Sequence, residues 1–142
     1  MAPFGGAAGG VLASRLGRRT TYFLTSLATL LINLLIYHGL DPTHKAFLPA
    51  AFVLGLVTTV FFGWLPLYLP ELFPTRVRAT GAGVAFNFGR FATAGGVLGA
   101  GALLALFEGD YARVGGVTAW VYALGMLIIL PAPDTSKQQL KD

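Results

Sequence analysis

The residues with the clearest chemical potential lie in the stretch 71–90, ELFPTRVRATGAGVAFNFGR, where a charged, proline-marked turn leads into a glycine-rich apolar segment. Arg90 lies roughly 15 Å along a helix that starts near Thr80, at about 1.5 Å per residue. Asn87 precedes it by one helical turn and therefore shares its helix face. The position of Arg90 predicts one of two roles. It supplies positive charge for an anionic ligand such as a carboxylate, or it is structural and binds helix-terminal carbonyls or an acidic partner.

The other ionisable residues do not form a catalytic set. The chain has no cysteine, which excludes disulfides, thiolate metal sites and cysteine nucleophiles. No serine–histidine–acid set, metal cluster or Walker loop occurs, and Gly81 and Gly83 lack the third glycine of a GxGxxG pattern. We therefore predict that the protein is not an enzyme and uses neither a cofactor nor a metal.

The composition is that of a membrane protein. Of 142 residues, 55% are hydrophobic and only 11% are charged, compared with about 25% in soluble domains. The mean hydropathy is +0.69. The net charge of +4 resides largely in short loops between apolar runs, which fits an orientation signal in a membrane better than nucleic-acid binding.

The apolar runs predict an all-α, polytopic transmembrane helix bundle, because a bilayer core of about 30 Å takes roughly 20 helical residues. No β alternation of any length competes with this interpretation. Pro66 is expected to kink or thin the end of the second span. The predicted transmembrane helices are 20–38, 46–69, 80–107 and 114–130, preceded by the end of a truncated helix at 1–14 and followed by a tail at 131–142.

The basic residues predict the orientation of these spans. Four spans place the RLGRR segment, the ELFPTRVR loop and the tail on one side of the membrane, and Lys45 and Arg113 on the other. The first side holds seven of the ten basic residues, namely Arg15, Arg18, Arg19, Arg76, Arg78, Lys137 and Lys141. By the positive-inside rule, that side and the C-terminus face the cytoplasm, and the plasma (inner) membrane is the expected location.

Residues 10–19, GVLASRLGRR, form a second motif. Its glycines allow a helix to end and turn sharply beside a neighbour, and its arginines can anchor a loop or pair with carboxylates. The motif resembles the loop motif of the major facilitator superfamily of secondary transporters. Gly10, Arg15, Gly17, Arg18 and Arg19 match in register, and Ser14 stands where the family prefers aspartate.

The ELFPTRVR loop and the helix after it are similar to the end of the second half of the same superfamily, especially in its sugar-porter-like, organic-ion and metabolite–proton symporter branches. The tail PAPDTSKQQL resembles a degraded PETKG-type ending of sugar porters. The matching loop and helix positions are Glu71, Pro74, Arg78, Gly81, Gly83 and Arg90.

The resemblance covers nearly the whole chain and implies that residues 1–142 are a partial transporter domain, from the end of helix 8 to helix 12 of a twelve-helix protein. The implied partners are the lipid bilayer, a small-molecule substrate and the missing N-terminal half, with no nucleic acid. The implied function is alternating-access transport of a small, anionic metabolite with proton coupling. The alternative is a small integral membrane protein that packs against other helices and has no transport activity of its own.

The resemblance also implies roles for single residues. Arg90, with Asn87, is expected to bind substrate, since the matching arginine of organic-ion relatives is associated with anion recognition. Glu71, Arg76 and Arg78 are expected to join Arg18 or Arg19 in a charge cluster that holds the cytoplasmic gate shut. The alternative for these loop residues is a solvated membrane anchor.

Overall fold

The computed structural model describes residues 2–135, with side chains from residue 6 onward. Within that range the chain forms seven α-helices and no strand, which confirms the all-α fold. The tail residues 136–142, including Lys137 and Lys141, lie outside the described residues. The helices are α1 (Ala2–Leu16), α2 (Arg18–Gly39), α3 (Phe47–Thr58), α4 (Val60–Glu71), α5 (Arg78–Leu106), α6 (Tyr111–Ala119) and α7 (Val121–Ile129), with a 3-10 turn at Thr75–Val77.

Four helical stretches are long and apolar enough to cross a membrane. The first is α2, and the second joins α3 and α4. The third is α5 together with the 3-10 turn before it, and the fourth joins α6 and α7. The chain is therefore built as a multi-pass membrane protein, with polar connections at residues 40–46, 72–77 and 107–110.

The break in the second span lies at Thr59 rather than at Pro66. Helix α4 continues through Pro66 and Pro70 to Glu71. The Thr58 hydroxyl donates to the Leu54 carbonyl at 2.9 Å, and the Thr59 hydroxyl donates to the Leu56 carbonyl at 2.7 Å. Threonine hydroxyls that bond back to carbonyls of their own helix bend it. These two bonds give a physical reason for the break at Thr59.

Helices α1 and α4 cross in close contact because each supplies a glycine. A Cβ atom on Gly9 would collide with the Val60 carbonyl, and one on Gly63 would collide with the Gly6 carbonyl. Close backbone approach through small residues is the usual means of helix association in membranes. This crossing places the C-terminal half of α4 beside the start of α2.

Helix α5 is packed very differently from the others. None of its 29 residues is buried among the described residues. It touches α4 and α6, whereas α2 packs against α1, α3, α4, α6 and α7. Gly95 and Gly99 are spaced for close helix packing, yet a Cβ atom on either would meet no other atom within 4 Å in the described chain.

Candidate functional site: a charge cluster at one end of the bundle

Three segments that are distant in sequence meet at one end of the bundle. They are the turn between α1 and α2, the end of α4, and residues 133–135. Gly17 makes the first turn possible, because its φ of 91° lies in the left-handed region that favours glycine. A Cβ atom on Gly17 would also lie 2.6 Å from Oδ2 of Asp134. The predicted Gly17 motif position thus has both a conformational and a steric basis.

Arg18 and Glu71 form a two-pronged ion pair at this end. The Arg18 Nη2 group donates to Glu71 Oε1 at 2.7 Å, and Arg18 Nε donates to Glu71 Oε2 at 3.0 Å. Parallel bonds of this kind are the strong geometry for a guanidinium and a carboxylate. The two side chains are only 11% and 19% exposed. The pair therefore joins the start of α2 to the end of α4 in a largely desolvated setting.

The C-terminal segment completes the cluster. The Thr135 hydroxyl donates to Glu71 Oε2 at 2.5 Å, and the Arg18 amide donates to Asp134 Oδ1 at 3.2 Å. We define the charge cluster as Arg18, Glu71, Asp134 and Thr135. Within the described chain, Arg18 Nη1 is buried and has no hydrogen-bond acceptor.

Two aromatic residues of α4, which precede Glu71 by one and two helical turns, bond to the segments that form the cluster. The Trp64 indole donates to the Arg18 carbonyl at 2.6 Å, and the Tyr68 hydroxyl donates to the Pro133 carbonyl at 3.0 Å. From the sequence alone, no role in the cluster was evident for Trp64, Tyr68, Asp134 or Thr135. Only the spacing of Trp64, Tyr68 and Glu71 on one face of α4 could have connected the aromatic residues to the cluster.

The other predicted loop residues lie around the cluster without joining its ion pair. Arg15, Arg19 and Arg76 are exposed. Arg78 donates to the Phe73 carbonyl at 3.4 Å and to the Thr75 hydroxyl at 3.1 Å, so it braces its own loop. Gly10 lies inside α1, where a Cβ would be in ordinary contact with Leu67.

Arg90 and Asn87 lie on α5, away from the charge cluster. The Arg90 guanidinium carbon is 5.0 Å from the centroid of the Phe86 ring, and Arg90 is exposed. The Asn87 amide donates to the Gly83 carbonyl at 2.9 Å. Asn87 also lines an open groove of about 430 Å³ on α5, to which Arg90 does not contribute. This groove therefore does not bring the two side chains together.

At the opposite end of the bundle, the ion pair and the loop hydrogen bonds join residues that are close in sequence. Arg113 pairs with Asp110 at 3.0 Å one turn away, and both side chains are well exposed, at 72% and 41%. In the loop before α3, hydrogen bonds from the Thr43 hydroxyl and amide hold the pKa of Asp41 below its ordinary value. No group of three potential metal ligands occurs in the part of the chain that the structure describes.

A cleft of about 720 Å³ lies between α2, α5, α6 and α7. Small residues form much of its wall, including Ala92, Gly96, Ala100 and Gly115. Its polar groups come from Asn33, Tyr37, Thr93, Thr118 and Tyr122.

The four apolar helical stretches define a multi-pass helical membrane protein. Comparison with known sequences identifies the family of membrane proteins to which it is similar. The chain is 34% identical over 125 residues to a protein of Cupriavidus pinatubonensis named as a probable 4-methylmuconolactone transporter, a match that covers 87% of this chain and 28% of the relative. It is 34% identical over 85 residues to the cis,cis-muconate transport protein of Acinetobacter baylyi, covering 60% of this chain and 20% of the relative. It is 38% identical over 80 residues to an inner membrane metabolite transport protein of Escherichia coli, covering 55% and 18%.

The chain belongs to this family of membrane metabolite transporters, in agreement with the resemblance of its motifs to the major facilitator superfamily. It spans between 18% and 30% of the length of the curated relatives it matches, as expected for part of a larger transporter. No protein-family model matches the chain, and no solved structure matches it.

Proposed function

We propose that the chain is part of a secondary transporter that moves a small carboxylate metabolite across a membrane without covalent chemistry. The observation that carries this proposal is the similarity to transporters named for 4-methylmuconolactone and cis,cis-muconate. Muconate is a dicarboxylate, so a related transporter needs positive charge along its path. In α5, the only charged side chain beyond the first residue, Arg78, is that of Arg90.

Arg90 is the proposed substrate-binding cation, with Asn87 as a neighbouring hydrogen-bonding group. A charged residue in the middle of a span costs about 2.5–3.5 kcal/mol on insertion scales if it faces lipid. Contact with the face of Phe86 offsets part of that cost, since an exposed cation–π pair contributes about 0.5–1 kcal/mol. The part of this cost that is not offset favours a position of Arg90 on a water-filled path, where an anion can reach the guanidinium.

The charge cluster is the proposed gate of alternating access. It ties the start of α2, the end of α4 and the C-terminal segment together at one membrane end. A gate favours either the open or the closed state of the transporter. Only contacts that are present in one of these states and absent from the other can shift the equilibrium between them. A desolvated, bidentate pair with additional hydrogen bonds can provide such a bias, whereas single exposed ion pairs contribute about 0–1 kcal/mol.

The proposed partner is the rest of the transporter, in particular helices beyond this chain. Three features of the described residues support it. Helix α5 buries no residue, the cleft beside it is lined by small residues, and Arg18 Nη1 has no acceptor. Transporters of this kind hold substrate between repeats near the membrane midplane, which requires helices from both repeats.

The proposed location is the inner membrane, with the charge cluster and the C-terminus in the cytoplasm. The excess of basic residues at that end supports this orientation by the positive-inside rule. One relative is also named as an inner membrane transport protein. Proton coupling is part of the proposal and is drawn from the superfamily resemblance alone.

The second candidate is a small membrane protein that packs against other helices and carries no substrate. The open space around Gly95 and Gly99 favours it, because these glycines present a helix surface suited to close contact. Arg90 would then bind a structural partner.

A chimera separates the two candidates. The chain replaces the matching segment of the Cupriavidus relative, and vesicles are assayed for uptake of labelled 4-methylmuconolactone and cis,cis-muconate. We expect uptake by the chimera, and an Arg90→Ala variant should lower kcat/KM about tenfold or more, as the loss of a charge-assisted hydrogen bond predicts. Arg90→Lys should keep part of the activity.

Arg113→Ala is the matched control, because Arg113 is an exposed arginine whose partner is one turn away. If Arg90→Ala and Arg113→Ala transport equally well at equal protein levels, Arg90 has no role in substrate binding. A chimera that inserts normally but transports neither compound supports the helix-packing candidate instead.

A further inference from the structure

Trp64 and Tyr68 form a buried pair on α4, within two helical turns of Glu71 in the charge cluster. They lie one turn apart on α4, their rings stack with centroids 4.7 Å apart, and they are only 4% and 5% exposed. Such a pair contributes apolar burial and ring stacking to the core. These properties alone would make them ordinary core residues.

Their polar atoms, however, bond to the segments that carry the cluster. Trp64 Nε1 donates to the carbonyl of Arg18 itself, and the Tyr68 hydroxyl donates to the carbonyl of Pro133, next to Asp134. One bond holds the residue that supplies the guanidinium. The other holds the segment whose Thr135 donates to Glu71. Both donors come from the same helix that carries Glu71.

We propose that Trp64 and Tyr68 are positioning residues that keep Arg18 and Thr135 aligned on Glu71. They touch the backbone of the cluster segments and not the Glu71 carboxylate, so they act through Arg18 and Thr135. Movement of either segment would leave a buried donor and a carbonyl unpaired, which is costly in a desolvated setting. The link between this positioning role and transport rests on the proposed gating function of the cluster. The alignment of Arg18 and Thr135 on Glu71 does not depend on that function.

Tyr22 offers a matched control within the same set of rings. Its ring lies 4.8 Å from the Trp64 ring, but its hydroxyl makes no hydrogen bond to any described residue. Replacing tyrosine by phenylalanine removes only the hydroxyl. Tyr68→Phe therefore deletes one bond to the segment that carries Asp134 and Thr135, whereas Tyr22→Phe deletes none.

The absence of native cysteine permits a direct assay of cluster opening on the 142-residue chain. Ala132→Cys places a thiol in the C-terminal segment, where the side chain is partly buried against the core cluster that includes Trp64 and Tyr68. Ser26→Cys places a second reporter at a fully buried position in the middle of α2. The rate of maleimide labelling at each site in detergent reports local opening and general unfolding, respectively.

We expect Tyr68→Phe to speed labelling at position 132 about tenfold, as loss of one buried hydrogen bond predicts. Trp64→Phe should speed it at least as much, because it removes the Nε1 donor and part of a buried ring. Labelling at position 26 should be unchanged, and Tyr22→Phe should have less than about a twofold effect at both sites. In a Glu71→Gln background the effect of Tyr68→Phe on the labelling rate should fall to about twofold or less. The Glu71 carboxylate, on which Tyr68 keeps Thr135 aligned, is then no longer present.

Unchanged labelling at position 132, or an equal change at position 26, would overturn the inference. An equal fold-change from Tyr68→Phe with and without Glu71→Gln would also overturn it, since that is the behaviour of an independent core contact. Labelling requires no substrate. Failure of the uptake experiment with the expected labelling pattern would therefore refute the proposed transport and leave the positioning role intact.

Discussion

The end of the bundle that carries the charge cluster and helix α5 are organised on opposite principles. At the cluster, two buried aromatic residues, a bidentate ion pair and a left-handed glycine join three segments that are far apart in sequence. Helix α5 is the longest helix of the described chain and buries none of its residues. The cluster is formed by segments of this chain, with Arg18 Nη1 left without an acceptor among the described residues, whereas α5 leaves its surface open. The proposed gate can therefore be tested in this chain, but the proposed substrate site around Arg90 needs further helices.

The largest expected difference between the two regions comes from adding bulk at a glycine. Gly63→Leu should destabilise the chain by on the order of 3 kcal/mol or more, because the new side chain meets the α1 backbone with no room to move. Gly99→Leu should change stability by less than about 0.5 kcal/mol, since nothing in the described chain lies near it. Reversible unfolding in mixed micelles, followed by helical circular dichroism, measures both.

Similar losses for Gly63→Leu and Gly99→Leu would contradict the comparison. They would mean that α5 is packed as tightly as α4 within this chain.

The next effect in size is the coupling energy of the two ion pairs. A double-mutant cycle with Arg18→Ala and Glu71→Ala should give a coupling of about 2 kcal/mol, because the pair is largely desolvated and bidentate. The same cycle for Arg113 and Asp110 should give less than about 0.5 kcal/mol, as expected for an exposed pair of residues three apart. Unfolding free energies of the single and double variants provide both values. Equal coupling energies would remove the energetic basis for a gate at the cluster.

Features set by local pattern could be predicted from the sequence. Hydropathy predicted a multi-pass helical protein, and Gly17 was expected to allow a sharp turn between helices. The number of spans predicted that the RLGRR segment, the ELFPTRVR loop and the tail share one end. Within the described residues, contacts of Arg18 with Glu71 and Asp134 do bring parts of all three together. The periods and the charges of a chain are local properties, and they carry this information directly.

The choice of ion-pair partner within the cluster depends on tertiary packing, which no local pattern carries. The family resemblance implied a cluster of Glu71, Arg76 and Arg78 with Arg18 or Arg19. The Glu71 carboxylate pairs with Arg18, 53 positions away along the chain, and Arg76 and Arg78 stay outside the ion pair. The close crossing of α1 and α4 at Gly63 explains this choice, because it sets the end of α4 against the start of α2. The bonds of Trp64 and Tyr68 follow from the same crossing. No local pattern separates these residues from ordinary aromatic side chains of a membrane span.

We propose that the charge cluster closes one membrane end of the bundle, with Lys45 and Arg113 at the other. Labelling of two single-cysteine variants tests this arrangement, and the chain has no native cysteine to interfere. Thr75→Cys lies in the loop beside the cluster and Thr43→Cys in the loop of the opposite end, and both positions are exposed. An impermeant maleimide should label Thr43→Cys from outside intact cells and Thr75→Cys only after the membrane is opened. Labelling of both positions from the same side would contradict the account.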